Sequence, residues 1–175
     1  MEETSEASVK GVSIKWGLIN ALIGIGMFVV FDFMELPTDS PIRYISLLVV
    51  TILIVLAHKE FKEQGDGYMS YGQGFGIGAF FSLISSLITG VFTFLYVKYI
   101  SPEYIQRALD EALVKMESMG RSDAEIEQGM KIAEMFSSPT AILIMGIVGG
   151  VFIGVVLSLI VSAITQKKRP ENLVA

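Results

Sequence analysis

Three groupings in this chain have the residue types of a reactive or binding site. Gly74, Gly76 and Ala79, within YGQGFGIGAFFSLISS, satisfy G-x-G-x-x-G/A, the turn that lets a backbone approach a dinucleotide pyrophosphate. His58, Lys59, Glu60 and Asp66 put a potential general base among charged neighbours, the makings of proton transfer. Met116-x-x-Met119 with Met130 and Met135 supplies thioethers, which suit a soft ion such as Cu(I).

Each chemistry requires particular surroundings, and the chain supplies few of them. A dinucleotide turn needs a buried strand before it and an acidic ribose ligand about twenty residues on. Here the glycines follow the charged link KEFKEQGDGYMS and open a long apolar run. His58 is the single histidine and lies at the end of an apolar segment, so it is expected to be an interfacial residue without chemistry. The methionine set has no cysteine or histidine beside it and is expected to fill gaps between helices. Neither a cofactor nor a metal is therefore expected.

The elements that would have to position such groups are membrane spans. A hydrophobic content of 52%, a mean hydropathy of +0.60 and a charged fraction of only 18% are too apolar for an ordinary soluble surface. Four apolar runs, at about 14–31, 42–57, 74–97 and 140–165, each approach the roughly 20 residues that cross about 30 Å of hydrocarbon. The second is short, with Arg43, Tyr44, His58 and Lys59 placed to reach its interfaces. The opening MEETSE is acidic where an export signal is basic, so the first run is expected to span rather than be cleaved.

Orientation follows from the basic residues at the span ends. Lys10 and Lys15, then Lys59 and Lys62, then Lys167, Lys168 and Arg169 fall on one side. Opposite them lie the acidic link with Asp32, Glu35 and Asp39, and a loop over 98–139 with five basic and eight acidic residues. Both termini are expected to be cytoplasmic and 98–139 periplasmic, in a bacterial inner membrane. Trp16 and Tyr71 on one side, and Tyr44, Tyr96 and Tyr99 on the other, fit interface anchors. A net charge of −5 and the lack of a basic patch beyond the C-terminal run give no support to nucleic-acid binding.

The outer loop reads as a helical hairpin over 101–137. Ser101-Pro102-Glu103 starts one helix, Gly120 stops it, and the capping box Ser122-x-x-Glu125 starts the next; Ser138-Pro139 opens the last span. Ile105, Leu109, Met116 and Met119, then Ile126, Met130 and Phe136, give the two helices apolar faces. Those faces must cover each other, the bundle, a protein partner or a second copy.

Within the spans no Asp, Glu, Lys, Arg or His occupies a middle position, which counts against ion-coupled transport and catalysis. The polar groups there are Asn20, Thr51, Ser82, Ser85, Ser86, Thr89 and Thr93. Small residues recur every four positions: Gly74, Gly78, Ser82, Ser86 and Gly90 in span three, and Gly146, Gly150, Gly154, Ser158 and Ser162 in span four. Such stripes let backbones approach where lipid gives no hydrophobic drive. Laid antiparallel, they would set Gly74 by Ser162, Gly78 by Ser158, Ser82 by Gly154, Ser86 by Gly150 and Gly90 by Gly146; the rival is that one stripe faces a second copy. Gly17, Ala21 and Gly24 form a shorter stripe in span one.

This order of features resembles the DUF4199 family over nearly the whole chain. The resemblance is carried by HKEFKEQGDGYMSYGQGFGIG, by YISPEYIQRALDEALVKMESMGRSDAEIEQGMKIAEMF, and by a glycine-rich last span ending in QKKR. The family pattern G-x-I-S-F-G-K-A corresponds here to GYMSYGQG, Gly67 to Gly74, which departs from it with Tyr71 for Phe and Gln73 for Lys, and with Met69 for Ile and Gly74 for Ala. The resemblance implies a small four-span membrane protein, found mainly in Bacteroidota, with no established activity and no functional residues to transfer.

The expectation is thus an all-α integral membrane four-helix bundle with an extracytoplasmic amphipathic hairpin between spans three and four. Its expected role is non-enzymatic: a structural or partner-binding component that contacts the lipid bilayer. A small-solute carrier or channel working as an oligomer is the alternative, and would need a polar cavity around Asn20, Ser82 or Thr89. An intramembrane enzyme is the second alternative and would need His58, Lys59, Glu60 and Asp66 to converge.

Overall fold

The computed structural model describes residues 8–37 and 40–170; the opening MEETSE and Asp39 lie outside them. The described residues form six α-helices and no strand: α1 (Val9–Phe33), α2 (Ile45–Gln64), α3 (Tyr71–Leu95), α4 (Glu103–Ser118), α5 (Asp123–Phe136) and α6 (Pro139–Thr165). A 3₁₀ turn, Pro41–Tyr44, leads into α2, and a π-helical turn, Tyr96–Ile100, extends α3. Four segments are long and apolar enough to cross a membrane: Val9–Phe33, Pro41–Gln64, Tyr71–Ile100 and Pro139–Thr165.

Local chemistry sets the helix ends. Ser8 accepts from Gly11 N and Ser138 from Ala141 N, with Pro139 in the first turn of α6, where a missing N–H leaves no bond unmade. Ser70 and Gln73 form a reciprocal capping box, as do Ser122 and Glu125. The first of these starts α3 at Tyr71, so Gly74 and Gly76 lie inside a helix. The residues before them make an isolated bridge, Met69 with Lys167, so there is no strand to build a dinucleotide turn. Gly120 takes φ +69° after α4, a left-handed stop that other residues rarely adopt. Ser101 departs from the expected cap: its hydroxyl donates to the Glu103 carboxylate at 3.0 Å instead of accepting a backbone N–H.

α3 lies against both α6 and α1, and its small residues set how closely. A methyl on Gly78 would sit 2.5 Å from Ser158 Cβ, and one on Gly154 or Gly150 would overlap the hydroxyl of Ser82 or Ser86. One on Gly74 would lie 3.0 Å from Ser162 Oγ. The fifth pair does not form, because Gly90 faces Ile147 and Leu143, while Gly146 has no neighbour within 4 Å. On the other side, a methyl on Gly17 would stand 3.0 Å from Phe81 O, and Ser13 Oγ reaches Ile77 O at 3.1 Å.

The apolar core gathers towards the end that carries the chain termini. Val12, Ala57, Phe61, Met69 and Ile77 form one cluster, and Leu53, Ile54, Phe81 and Val161 form the next. The other end is capped by the α4–α5 hairpin. A Gly78→Ala or Gly154→Ala change should cost about 1–3 kcal/mol by overpacking. Gly146→Ala should be neutral or slightly stabilising, since Ala is preferred to Gly in helices. Unfolding midpoints in detergent micelles measure the difference; equal effects at all three positions would refute this packing.

Candidate functional site

At the hairpin end, the last turn of α1 buries a carboxylate. Asp32 is 8% exposed and accepts from Tyr96 Oη at 2.8 Å and from Arg107 Nη2. The π turn delivers Tyr96: Ser101 N bonds to Tyr96 O at 2.9 Å, and the extra residue in the turn buries Val97 and Ser101 together. Phe28 meets the Tyr96 ring edge-on at 5.3 Å and packs on Tyr104 at 5.5 Å. Arg107 also lies 3.7 Å from Glu35, a residue with φ 49° in the left-handed turn that ends α1. Arg43 donates to Leu36 O and Pro37 O at 2.6 and 2.8 Å, tying down the link into α2. This knot fastens α4 to α1 and α3.

At the termini end, His58 is fully buried, which corrects its expected interfacial place. Its Nε2 donates to Gly74 O at 2.9 Å, since a carbonyl only accepts, and Nδ1 lies 2.7 Å from Thr165 Oγ1. The imidazole thereby joins α2, α3 and α6. Glu60 accepts from Lys15 at 2.7 Å and from the Trp16 indole at 2.8 Å; Lys59 lies 3.7 Å from Glu63, and Asp66 pairs with Arg169. The four residues considered for proton transfer are thus each held by a different partner. His58 could have been suspected only by knowing that the start of α3 and the end of α6 meet beside it.

Between these ends, α1, α2, α3 and α6 surround a partly open cleft of about 290 Å³. Asn20, Ser82, Ser85, Ser86, Thr89 and Thr93 bring their polar groups to its wall, and no ionisable residue lines it. Asn20 Nδ2 donates to Ser85 Oγ at 2.6 Å across the α1–α3 contact, at the middle of both helices. Phe81, fully buried and packed with Leu53, Ile54 and Val161, also lines the cleft. Thr51, the remaining polar residue read from the spans, stays outside and bonds back to Leu47 O at 2.7 Å.

In the hairpin, Met116 lies over Gly129, where a methyl would come within 2.7 Å of its sulfur. Ile105, Leu109, Met116, Ile126 and Met130 are half-buried, whereas Met119 and Phe136 are exposed. Val114, Ile132 and Met135, outside the faces read from the sequence, are exposed as well, Met135 at 70%. Among the described residues, no group of three or more His, Cys, Asp or Glu could hold a metal ion.

The sequence matches the family model described as protein of unknown function (DUF4199) over residues 15–167, and the chain belongs to this family. No curated protein and no solved structure matches it.

Removing one partner of the hairpin-end knot should be worse than removing both. Arg107→Ala leaves Asp32 buried without its counter-charge and should cost about 3–5 kcal/mol. Adding Asp32→Asn should restore most of that loss, read as the unfolding midpoint in detergent across the four members of the double-mutant cycle. Additive losses would mean that the pair is not coupled.

Proposed function

We propose that this DUF4199 protein is a structural, partner-binding component of a bacterial inner membrane, without catalytic activity. The spans anchor it through close small-residue packing between α3 and α6, and the α4–α5 hairpin, on the periplasmic side, presents the docking surface. The observation that carries this reading is the apolar surface left on the hairpin: Val114, Met119, Ile132, Met135 and Phe136 are all more than half exposed. Grouped exposed apolar residues are a common mark of interaction surfaces. At the bundle ends Asp32, Glu60 and Asp66 are held in ion pairs and His58 in hydrogen bonds, which supports a non-enzymatic role.

The chain has no cysteine, so single-cysteine variants report topology without background. A membrane-impermeant maleimide applied to intact cells with a permeabilised outer membrane should label Gln128→Cys and leave Lys168→Cys unlabelled until the inner membrane is opened. The reverse pattern would invert the proposed orientation.

For the partner itself, crosslinking in native membranes followed by copurification should give a reproducible protein. The triple change Ile132→Ser, Met135→Ser and Phe136→Ser should abolish that capture while leaving the unfolding midpoint unchanged. Capture that survives it would remove the hairpin from the interface.

A second reading, a small-solute carrier or channel assembled from several copies, is favoured by the cleft around Asn20, Ser82 and Thr89. Solute leakage from liposomes containing a purified oligomer would support it over the scaffold.

A further inference from the structure

Hydroxyl groups inside helices normally bond back to a carbonyl of their own helix. In this chain Ser13, Thr51, Ser82 and Thr165 do so, at 2.6 to 2.8 Å. Ser86, Thr89 and Thr93 make no such bond, and all three line the cleft. Ser85, 5% exposed, accepts from Asn20 but donates to nothing, and Asn20 Oδ1 has no donor. Among the described residues, the unmet hydrogen-bonding capacity of the spans thus gathers on one wall of this cavity, apart from Ser162 Oγ, which is buried without a partner in the α3–α6 seam and does not line the cleft. At hydrocarbon depth an unsatisfied polar group is costly, so this wall favours an occupant that brings donors and acceptors.

We propose that the cleft binds an uncharged amphipathic lipid, an apolar chain carrying a hydroxyl or carbonyl group. Charge is disfavoured because no ionisable side chain faces the cavity to neutralise it. An apolar chain is favoured because the remaining lining includes Ile23, Met27, Leu47, Val50, Ile142 and Ile153. Of these, Ile23, Leu47 and Ile153 are exposed on helices long and apolar enough to span a membrane, so surrounding lipid would reach the mouth. The volume of about 290 Å³ is near the lower end of the ~300–1,000 Å³ of small-molecule sites, room for a polar group and part of its chain. A transmembrane helix from another protein would fit less well, since its backbone groups are already paired within the helix and would leave the hydroxyls unmet.

The test uses the full chain in phosphatidylcholine nanodiscs with a diazirine-bearing long-chain alcohol, and the matching carboxylic acid at a pH where it is ionised. The alcohol should crosslink to α3 and α6 peptides lining the cleft, and the acid should not. Ser86→Ala with Thr89→Val should lower alcohol labelling roughly tenfold through the loss of one or two hydrogen bonds. Because Ser86→Ala removes only a hydroxyl and Thr89→Val exchanges one for a methyl of similar size, the unfolding midpoint should hold; Phe136→Ser, on the hairpin, serves as a folded control with full labelling. Equal labelling by alcohol and acid, undiminished labelling of the double variant, or crosslinks spread evenly over all lipid-facing helices would each overturn the proposal.

Discussion

The close approach of α3 to α6 is the constraint on which the rest of the structure depends. In lipid the hydrophobic effect does not drive helices together, so dispersion contacts between backbones have to do so. Four successive rungs, from Gly74 with Ser162 to Ser86 with Gly150, permit that approach by leaving no room for another side chain. The seam stops where Gly90 meets Ile147 and Leu143, and Gly146 is left with no neighbour within 4 Å. Beyond that point large side chains hold the helices apart. The cleft includes Gly90, Gly146, Gly150 and Gly154 in its lining, so it opens where the seam gives out.

Polar residues do different work at the two ends. His58 ties three helices where the core is tightest, using Gly74 O, a carbonyl on the first turn of the seam. Asp32 gathers Tyr96 and Arg107 where the bundle is loosest, and so substitutes electrostatics for the apolar packing that the cleft displaces. A buried ion pair stabilises less than its Coulomb energy suggests, because both charges are desolvated. Its effect here is positional: it fixes the root of α4, and with it the direction in which the hairpin leaves the bundle.

Much of the fold was legible because its signals are local. Apolar run length announced the spans, although the helices run further, as with Val9–Phe33 against 14–31, because polar flanks continue the same backbone bonds. Ser70 with Gln73 and Ser122 with Glu125 are caps readable within four residues. The four-residue period of small side chains is equally visible, but its end is not, since that depends on Ile147 lying opposite Gly90. The hairpin-end knot escaped sequence reading altogether. It joins residues 64 and 75 positions apart, and the π turn that brings Tyr96 to Asp32 has no residue signature. In the hairpin, helical spacing found an apolar face but not its edge, so Val114 and Met135 were missed as exposed positions.

The distribution of polar groups along the bundle also limits the kinds of work it can do. Charged residues stay at the ends, where Glu60 pairs with Lys15 and Asp32 with Arg107, and the middle offers only amide and hydroxyl groups. A neutral middle cannot hold an ion cheaply. What such a middle can do is discriminate among uncharged molecules, since a hydroxyl lacking a partner penalises an apolar occupant and rewards one that completes the bond. Hydroxyls such as those of Ser86, Thr89 and Thr93, with no protein partner at hydrocarbon depth, carry a desolvation cost. That cost falls on the loosest half of the structure, where an occupant can recover it by supplying the missing bonds without disturbing the α3–α6 seam.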